Sequence, residues 1–559
     1  MIEKIKNILV RIRYINLNKK IFKNFSKNSN SKILVEFNAY SSIHVLSSFL
    51  SNFLSKKTNS KIVAYENYSL LVRPLKRNLF NKIKWYLINI LSLKTISIYK
   101  SFGVSEFFYP IISDELEKDS FKIFNEITKD IYSKDDINNI FVSGIHIGDL
   151  IIDGYIKYKK TYKIDINSDN FKKYLVDFIK LFLFWEDYFN KNNIFAVMGS
   201  QVYYACGIVH RIAVFKKIRS YIIYNGKIIR LKEGMIYSND QCKSHKLYFE
   251  RFNDKQKKIC LDIAKNFIKE KFNGSVGAKI NELSTDTSSF SKKFDDKTQV
   301  LNKSKKIKIL IATHEIFDAC HVYGKNYFCD FQSWLYFLGE ISKVTDYEWY
   351  IKDHPHARGK RFSGQQLTAL LTDEIIKNYP KIKFVDPNIS HHQLINEGID
   401  FVLTVYGTIT WEYALFNIPV ILATNNSAFK DYKFFIKSKD KHDYENNLKN
   451  LDILNKKQNF NKDDIYEFYF MHYVFANNNF IIKNYDKFLD KKNTFYDYYN
   501  YKFYDFFIKN FKKEDMQYIF STLENFYNQD DYILNVHHTD LNIDNFLKRI
   551  ENKDPIWKE

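Results

Sequence analysis

Two short segments in the second half of the chain carry residue types that bind phosphate. Lys352, His354 and Pro355 follow the apolar run YEWYI, and the segment FVLTVYGTITWEYALFNIPVILA places Gly407 and Glu412 between two further apolar runs. The proline disfavours helical geometry at His354, so we expect the imidazole to project from the end of a strand. Helix N-termini attract anions, and ligands of open α/β sheets lie at the carboxyl ends of the strands. The two segments together predict a nucleotide-phosphate site.

Each residue of this predicted site has a binding role and a purely structural alternative. His354 would donate to a phosphate oxygen beside Lys352 or Arg358, or would only cap a neighbouring strand. Gly407 would let the phosphate approach the backbone, and the threonine hydroxyls after it would add donors. Glu412 would accept from ribose hydroxyls, or would only offset the helix dipole. The predicted donor-binding residues are Lys352, His354, Gly407, Thr408, Thr410 and Glu412.

The loop GIHIGD in the first half of the chain carries the candidate bases. Asp149 and Asp153 are four residues apart, so both lie on one face of the helix that the loop enters. Transfer of a group to a hydroxyl needs a base, which a positioned carboxylate or imidazole supplies. Asp149, His146 and Asp153 are therefore the catalytic candidates. The structural alternatives are an N-cap for Asp149 and a solvated helix position for Asp153.

Further polar residues follow two predicted strands. Tyr203 and Arg211 begin a helix after one of them and are expected to face the second substrate, with core packing an equal alternative for Tyr203. His314 and Asp318 follow the other strand and are also expected to contact that substrate. Histidines and carboxylates lie close together after this strand, and such side chains could instead bind a metal. They could also form only a hydrogen-bond network within the loop. No Asp-x-Asp motif stands where a metal-dependent transferase would need one, so we expect no metal and no cofactor. The full set is His314, Glu315, Asp318 and His321.

The elements that must position these residues alternate between strands and helices in both halves of the chain. Strands are predicted at 32–37, 61–65, 140–143, 194–198, 220–224, 307–312, 348–352, 381–385 and 401–405. Strands separated by helical patterns indicate parallel sheets. The polar, Ser/Thr/Lys-rich stretch near residue 290 predicts a linker. The predicted domains are a basic N-terminal helix (1–31), an acceptor-side Rossmann-like domain (32–270), the linker (271–306), a donor Rossmann-like domain (307–440) and a helical C-terminal region (441–559).

Bulk composition narrows the class of protein. The chain has 559 residues, 45% of them hydrophobic, and a net charge of +21, which suits nucleic acid, anionic lipid or phosphorylated substrates. Codon bias of an AT-rich genome is the alternative source of that charge. The five scattered cysteines form no CxxC and sit at no metal-finger spacing with histidine, so reduced thiols and a cytoplasmic location are expected. The sequence start has no signal-peptide pattern, and no apolar run approaches the ~20 residues of a membrane span.

The motifs resemble those of capsule and surface-polysaccharide glycosyltransferases of GT-B fold. They are similar to capsule Kdo transferases and, more loosely, to bacterial polysialyltransferases with a His-Pro motif. The resemblance covers residues 307–425 well and 140–215 in part, and Trp411 with the Tyr406-Gly407 turn departs from it. The matching residues are Lys352, His354, Pro355, Leu394, Asp400, Val402, Thr408, Thr410, Glu412, Ala414, Leu415, Ile418, Pro419 and Val420.

The resemblance implies a metal-independent glycosyltransferase that moves a sugar from a nucleotide-sugar, often CMP-linked, to a polysaccharide or glycolipid acceptor. We expect inversion at the sugar carbon and a role in capsule polysaccharide biosynthesis. The basic N-terminal helix would make a peripheral contact with an anionic membrane, or would simply pack on the protein. The alternatives are a CDP-glycerol or CDP-ribitol phosphotransferase of teichoic-acid type, a sugar-nucleotide epimerase, and a non-catalytic basic protein that binds nucleic acid or membrane. Nucleic acid is not expected as a partner, because the aromatic residues are not interleaved with basic ones on one stripe.

Overall fold

The computed structural model describes most of the chain. The described residues are 2–22, 29–66, 83, 95–108, 110–224, 226–234, 236–237, 240–274, 290, 299–355, 357–358, 366–454, 456, 458–490, 497, 500–554 and 556. Most of the predicted linker lies outside them.

The first domain is built on a mostly parallel sheet. Its strands are β1 (Ser31–Phe37), β2 (Lys61–Glu66), β3 (Val104–Phe108), β6 (Asn193–Gly199), β7 (Arg219–Tyr224) and β8 (Lys227–Leu231). Within the described residues their order is β3-β2-β1-β6-β7-β8, and only β8 runs antiparallel to its neighbour. The run KILVEF is buried along its centre, as expected for a parallel strand covered on both faces. The carboxyl ends of β1 and β6 flank the point where the strand order reverses.

Helices cover both faces of this sheet. They are α1 (Ile2–Ile21), α2 (Ser41–Thr58), α3 (Thr95–Ser101), α4 (Asp114–Thr128), α5 (Lys134–Asn138), α6 (Gly148–Lys159), α7 (Asp169–Lys191), α8 (Gly207–Phe215), α9 (His245–Phe249) and α10 (Asp254–Phe272), with 3-10 turns at Tyr204–Cys206 and Asp240–Ser244.

The prediction of one strand at 140–143 is wrong. That segment instead forms a short antiparallel hairpin, β4 (Phe141–Val142) with β5 (Ile145–His146), outside the main sheet.

The second domain repeats the same design. Strands β9 (Lys308–Ala312), β10 (Glu348–Lys352), β11 (Ile382–Val385), β12 (Phe401–Thr404) and β13 (Val420–Leu422) are all parallel, in the order β11-β10-β9-β12-β13. Its helices are α11 (Phe331–Val344), α12 (Gln366–Asn378), α13 (His391–Asn396) and α14 (Ile409–Ala414). The strand order reverses between β9 and β12, which is where ligands of such sheets bind. The predicted α/β fold class with two Rossmann-like domains is confirmed.

The tail is helical and folds back on the first domain. It contains α15 (Lys441–Lys449), α16 (Lys462–Tyr469), a π-helical turn (Phe470–Val474), a 3-10 turn (Phe475–Asn477), α17 (Tyr485–Asp490), α18 (Tyr501–Asn510), α19 (Asp515–Gln529), a 3-10 turn (Val536–His538) and α20 (Ile543–Glu551). Helix α1 packs on α18, with the rings of Tyr14 and Tyr504 stacked 4.3 Å apart. No helix in the described part of the chain combines the length and the apolar character needed to cross a bilayer.

Candidate functional site

His354 lies at the carboxyl edge of the second sheet, just after β10. Its Nδ1 lies 3.0 Å from Oε1 of Glu315, which follows β9, and its backbone N–H donates to Oγ1 of Thr313 over 2.9 Å. The side chain is 35% exposed. Because Nδ1 faces the carboxylate of Glu315, Nε2 is the ring nitrogen that points away from it. The other carboxylate oxygen of Glu315 is buried and has no hydrogen-bond partner among the described residues.

His314 lies at the switch point between β9 and β12. Its Nε2 accepts from the backbone N–H groups of Val405 (3.2 Å) and Tyr406 (3.4 Å) and lies 3.0 Å from Oγ1 of Thr404. Burial lowers the pKa of His314 to about 3, so the ring is neutral and its lone pair is available for these bonds. His314 therefore holds the turn after β12 in place. This geometry argues against the predicted contact with a substrate.

The turn after β12 presents the predicted glycine and threonines in different ways. A Cβ at Gly407 would lie 2.8 Å from Oγ1 of Thr404, so only glycine fits this approach. The side chain of Thr408 is exposed, whereas Thr410 is buried and its hydroxyl donates to the carbonyl of Gly407 over 2.7 Å. Of these side chains, Thr408 is the one that faces solvent beside His354's sheet edge.

Two of the predicted donor-binding side chains are occupied elsewhere. Lys352 is buried, and its ammonium donates to the backbone carbonyls of residues 386, 387 and 389 over 2.8–3.3 Å. Glu412 is buried and forms an ion pair with Lys271, the distance between Oε1 and Nζ being 2.9 Å. Lys352 thus anchors the loop after β11, and Glu412 faces the last turn of α10. Neither arrangement is that of a phosphate or ribose ligand.

Asp153 and His321 join the two domains. Asp153 lies on α6 of the first domain, and its Oδ1 lies 2.8 Å from Nδ1 of His321, in the loop that follows β9 of the second. Its carboxylate also accepts from the backbone N–H groups of Cys320 (3.2 Å) and His321 (3.3 Å). Burial alone would lower the pKa of His321, but the Asp153 carboxylate outweighs it and raises that pKa above its usual value. A buried imidazole that can hold a proton therefore stands at the junction.

Asp149 lies one turn before Asp153 and has a different partner. Its two oxygens accept from the two terminal nitrogens of Arg211 over 2.5 and 2.6 Å, and Tyr237 donates a third hydrogen bond over 2.8 Å. Asp149 is 1% exposed. Burial raises its pKa, but Arg211 outweighs burial and holds the pKa well below the usual range. A carboxylate this acidic and this fully bonded is a poor base, so the geometry argues against the predicted roles of Asp149 as base and Arg211 as acceptor ligand.

His146 is tied to the backbone at the start of α6. Its Nε2 lies 2.7 Å from the carbonyl oxygen of Asn138, and its Nδ1 lies 3.6 Å from Oδ1 of Asp149. The ring also packs on Phe141 of the hairpin. Both ring nitrogens therefore face protein oxygens, which makes His146 a poor match for a base that must reach a substrate.

A polar rim runs along the outside of the same junction. Tyr204 donates to Asp318 over 2.8 Å across the domains, and Lys157 lies 3.8 Å from the same carboxylate. Asp318 is exposed over 63% of its side chain, and Tyr203 beside Tyr204 is half-buried. Tyr204 has a φ of 53°, which is unusual for a bulky residue and costs of order 1–3 kcal/mol. The rim is where the predicted acceptor residues Tyr203 and Asp318 lie.

Two side chains that complete these contacts were not assigned such roles from sequence. Glu315 and His321 belong to the polar set after β9, but their partners lie far away in the sequence. The sequence signal that could have found them is the pair His314 and Glu315, which stands just after a buried strand. Asp153, Cys320 and His321 also bring one donor atom each within 4.8 Å of one another, a set that could hold a metal. Hydrogen bonds among the three already account for their arrangement.

No protein-family model matches the sequence, and no curated protein matches it. Among solved structures, the UDP-GlcNAc 2-epimerase of Methanocaldococcus jannaschii is similar with a TM-score of 0.22 and 14% identity over 78% of this chain and 95% of that chain. MurG of Acinetobacter baumannii is similar with a TM-score of 0.19 and 11% identity over 78% of this chain and 94% of that chain. The UDP-GlcNAc 2-epimerase of Neisseria meningitidis has a TM-score of 0.18 and 10% identity over 72% and 84%. TM-scores this low establish no common superposition, so the fold follows from the strand order and directions alone.

Proposed function

We propose that the protein is a glycosyltransferase that moves a sugar from a nucleotide-sugar donor to a cell-surface polysaccharide or glycolipid acceptor. One observation carries the proposal. The loop after β9, residues 313–324, belongs to two carboxylate–imidazole pairs at once. It supplies Glu315 to His354 at the sheet edge and His321 to Asp153 at the domain junction. Two imidazoles held by carboxylates suit a reaction that stabilises a leaving phosphate and removes a hydroxyl proton.

The donor phosphate would bind beside His354. With Nδ1 facing Glu315, Nε2 of His354 would donate to a phosphate oxygen as negative charge develops on the leaving group. The exposed Thr408 follows β12, on the other side of β9 from β10, and would add a hydroxyl donor. The position after β10, next to the switch point, is where an open parallel sheet binds its ligand.

The acceptor hydroxyl would give its proton to His321. Asp153 binds Nδ1 of His321, so Nε2 is the nitrogen that takes the proton, as in other carboxylate–imidazole pairs. His321 is 1% exposed, so the side chains that cover its Nε2 must move to admit the acceptor while the contact with Asp153 is kept. A direct displacement needs a base and a stabilised leaving group but no covalent nucleophile. The pair of imidazoles thus supports inversion at the sugar carbon without a metal in the transfer step.

A thermal-shift screen of the full-length protein against CMP, CDP, UDP and GDP tests the donor site. A ligand that binds only the native state raises the apparent stability by mass action. We expect one base to raise the melting temperature in a dose-dependent way, with CMP the leading candidate. Product analysis with the matching nucleotide-sugar then distinguishes sugar transfer from transfer of glycerol phosphate or ribitol phosphate and from epimerisation. No response to any nucleotide would contradict the proposal.

We also propose that α1 rests on an anionic membrane. Its inner face packs on the protein through Val10 and Tyr14, but its outer face exposes Ile5, Ile8 and Leu9 by 43–55%. Exposed lysines near both ends of the helix flank this apolar face. An apolar stripe with flanking basic residues is the pattern of helices that lie in the membrane interface.

A further inference from the structure

Three metal-ligating side chains converge inside the first domain, away from the two imidazole pairs. Cys242 comes from the 3-10 turn before α9, His245 from α9 itself and His472 from the π-helical turn of the tail. Their Sγ and ring nitrogen atoms all lie within 4.8 Å of one another. Cys242 and His245 are three residues apart in the sequence, and the third side chain, His472, comes from the distant tail.

The distances match tetrahedral coordination. Nδ1 of His472 lies 3.3 Å from Nε2 of His245 and 3.4 Å from Sγ of Cys242. With Zn–N bonds of about 2.05 Å and a Zn–S bond of about 2.3 Å, a tetrahedral ion places two ligand nitrogens about 3.3 Å apart. The same geometry places nitrogen and sulfur about 3.6 Å apart. The two distances from Nδ1 of His472 thus match those between zinc ligands, and Sγ of Cys242 lies within 4.8 Å of the ligand nitrogen of His245.

Hydrogen bonds alone do not satisfy this arrangement. Nδ1 of a neutral histidine carries either one hydrogen or one lone pair, so Nδ1 of His472 makes a full hydrogen bond with only one of its two neighbours. An ion between the three atoms would accept one lone pair from each of them.

The local backbone is consistent with a built site. Residues Phe470–Val474 form a π-helical turn, which is rare and frequently occurs at functional sites. The turn places His472 against α9, where its ring also stacks on Phe468. Metal binding would displace the thiol proton, as it does at other thiolate sites.

We propose that Cys242, His245 and His472 bind a zinc ion that fastens the tail to the first domain. One thiolate and two imidazoles favour zinc over magnesium or calcium, which prefer oxygen ligands. Three protein ligands leave one tetrahedral position for water or another donor. The ion is separate from the proposed transfer chemistry, and the inference stands whether or not that function is correct.

Metal analysis of the full-length protein, purified without chelator, tests this inference. We expect one zinc per chain by mass spectrometry of the metal content, and a melting temperature that falls by several degrees after zinc removal. Cobalt added to the zinc-free protein should give the near-ultraviolet thiolate-to-cobalt band and the visible bands of a tetrahedral ion. A cobalt complex without the thiolate band, or protein that binds neither metal, would overturn the proposal, and neither measurement requires a variant.

Variants then assign the site. Cys242→Ser and His472→Gln should lose the zinc, whereas Cys260→Ser, which changes another buried free thiol, should keep it. Cys320→Ser tests the other candidate cluster. Loss of zinc in Cys320→Ser together with its retention in Cys242→Ser would place the metal at the domain junction and refute the inference.

Discussion

Asp149 and Asp153 lie one turn apart on α6, both are buried, and yet their surroundings differ in kind. Asp149 is bound by the guanidinium of Arg211, whereas Asp153 is bound by the imidazole of His321. Arginine does not release its proton in proteins, so the first pair has one charge state at any working pH. Histidine titrates near neutral pH, so the second pair can hold or release a proton. Of two similar buried carboxylates, the partner decides which one has a fixed charge beside it and which one has a titratable group beside it.

Breaking the Asp149 pair should have the largest effect on stability. Asp149→Asn leaves the buried guanidinium of Arg211 without a counter-charge, so the free energy of unfolding should fall by about 3–5 kcal/mol. Denaturant unfolding measures this loss. The double variant Asp149→Leu with Arg211→Met should recover much of it, because it removes both buried charges. A loss below about 1 kcal/mol in Asp149→Asn would show that the pair is not structural.

Breaking the Asp153 pair should change the pH dependence instead. If His321 is the base, it acts when neutral, so the transfer rate should rise with pH through the raised pKa of His321. In Asp153→Asn that pKa falls, and the rise should move to lower pH. An unmoved pH–rate profile would remove His321 as the base.

The same pair also predicts a pH-dependent stability. Since the pKa of His321 is raised in the folded protein, its contribution is fully present below the unfolded pKa of about 6.5 and is lost as pH rises through the raised value. Asp153→Asn should remove this dependence, as followed by unfolding at several pH values. Asp149→Asn serves as the control, since Arg211 does not titrate in that range.

Glu412 offers a third buried carboxylate, this time bound by a lysine. Lys271→Met should leave Glu412 buried and unpaired and should lower the free energy of unfolding by about 1.5–3 kcal/mol. Glu412→Gln should leave the affinity for the nucleotide nearly unchanged, because the carboxylate faces α10. A large increase in KM for the donor in Glu412→Gln, with unchanged stability, would restore the ribose role expected from sequence.

The smallest expected effect is on membrane binding by α1, which is distant in sequence from the Asp149–Arg211 and Asp153–His321 pairs. Ile8→Asp with Leu9→Asp places two charges on the exposed apolar face and should lower binding to anionic vesicles about tenfold in a flotation assay. Ile453→Asp is a matched control, because that isoleucine is 77% exposed on another part of the surface. Equal vesicle binding by all three proteins would refute the membrane contact.

Most strands and helices could be predicted because their signals are local, whereas β3 and β8 were not predicted. Buried parallel strands such as residues 401–404 are continuous apolar runs, and the helix at Phe331–Val344 follows a capping aspartate, Asp330. The prediction for 140–143 was wrong because a run of four apolar or small residues is compatible both with a strand of the main sheet and with a short hairpin. Periodicity does not separate the two over so few residues.

The site was harder to predict because its pairs are made between distant parts of the chain. The sequence placed His354 at a strand end, but it could not show that Glu315 would bind it from the neighbouring strand. Lys352 looked like a phosphate ligand because its spacing is right. Its ammonium is consumed by three carbonyl groups of a loop that follows another strand. Charge and spacing are local properties, whereas the partner of each charge is set by the fold.

The kinetics of His354→Ala show whether the two carboxylate-bound imidazoles, His354 and His321, carry out the transfer. With the nucleotide-sugar identified by the screen, kcat/KM should fall by about 10²–10³-fold, the usual cost of removing one donor to developing charge. The melting temperature without ligand should stay close to that of the wild type, and His442→Ala, at an exposed histidine of α15, should retain full activity. An unchanged kcat/KM in His354→Ala would show that His354 does not stabilise the leaving phosphate.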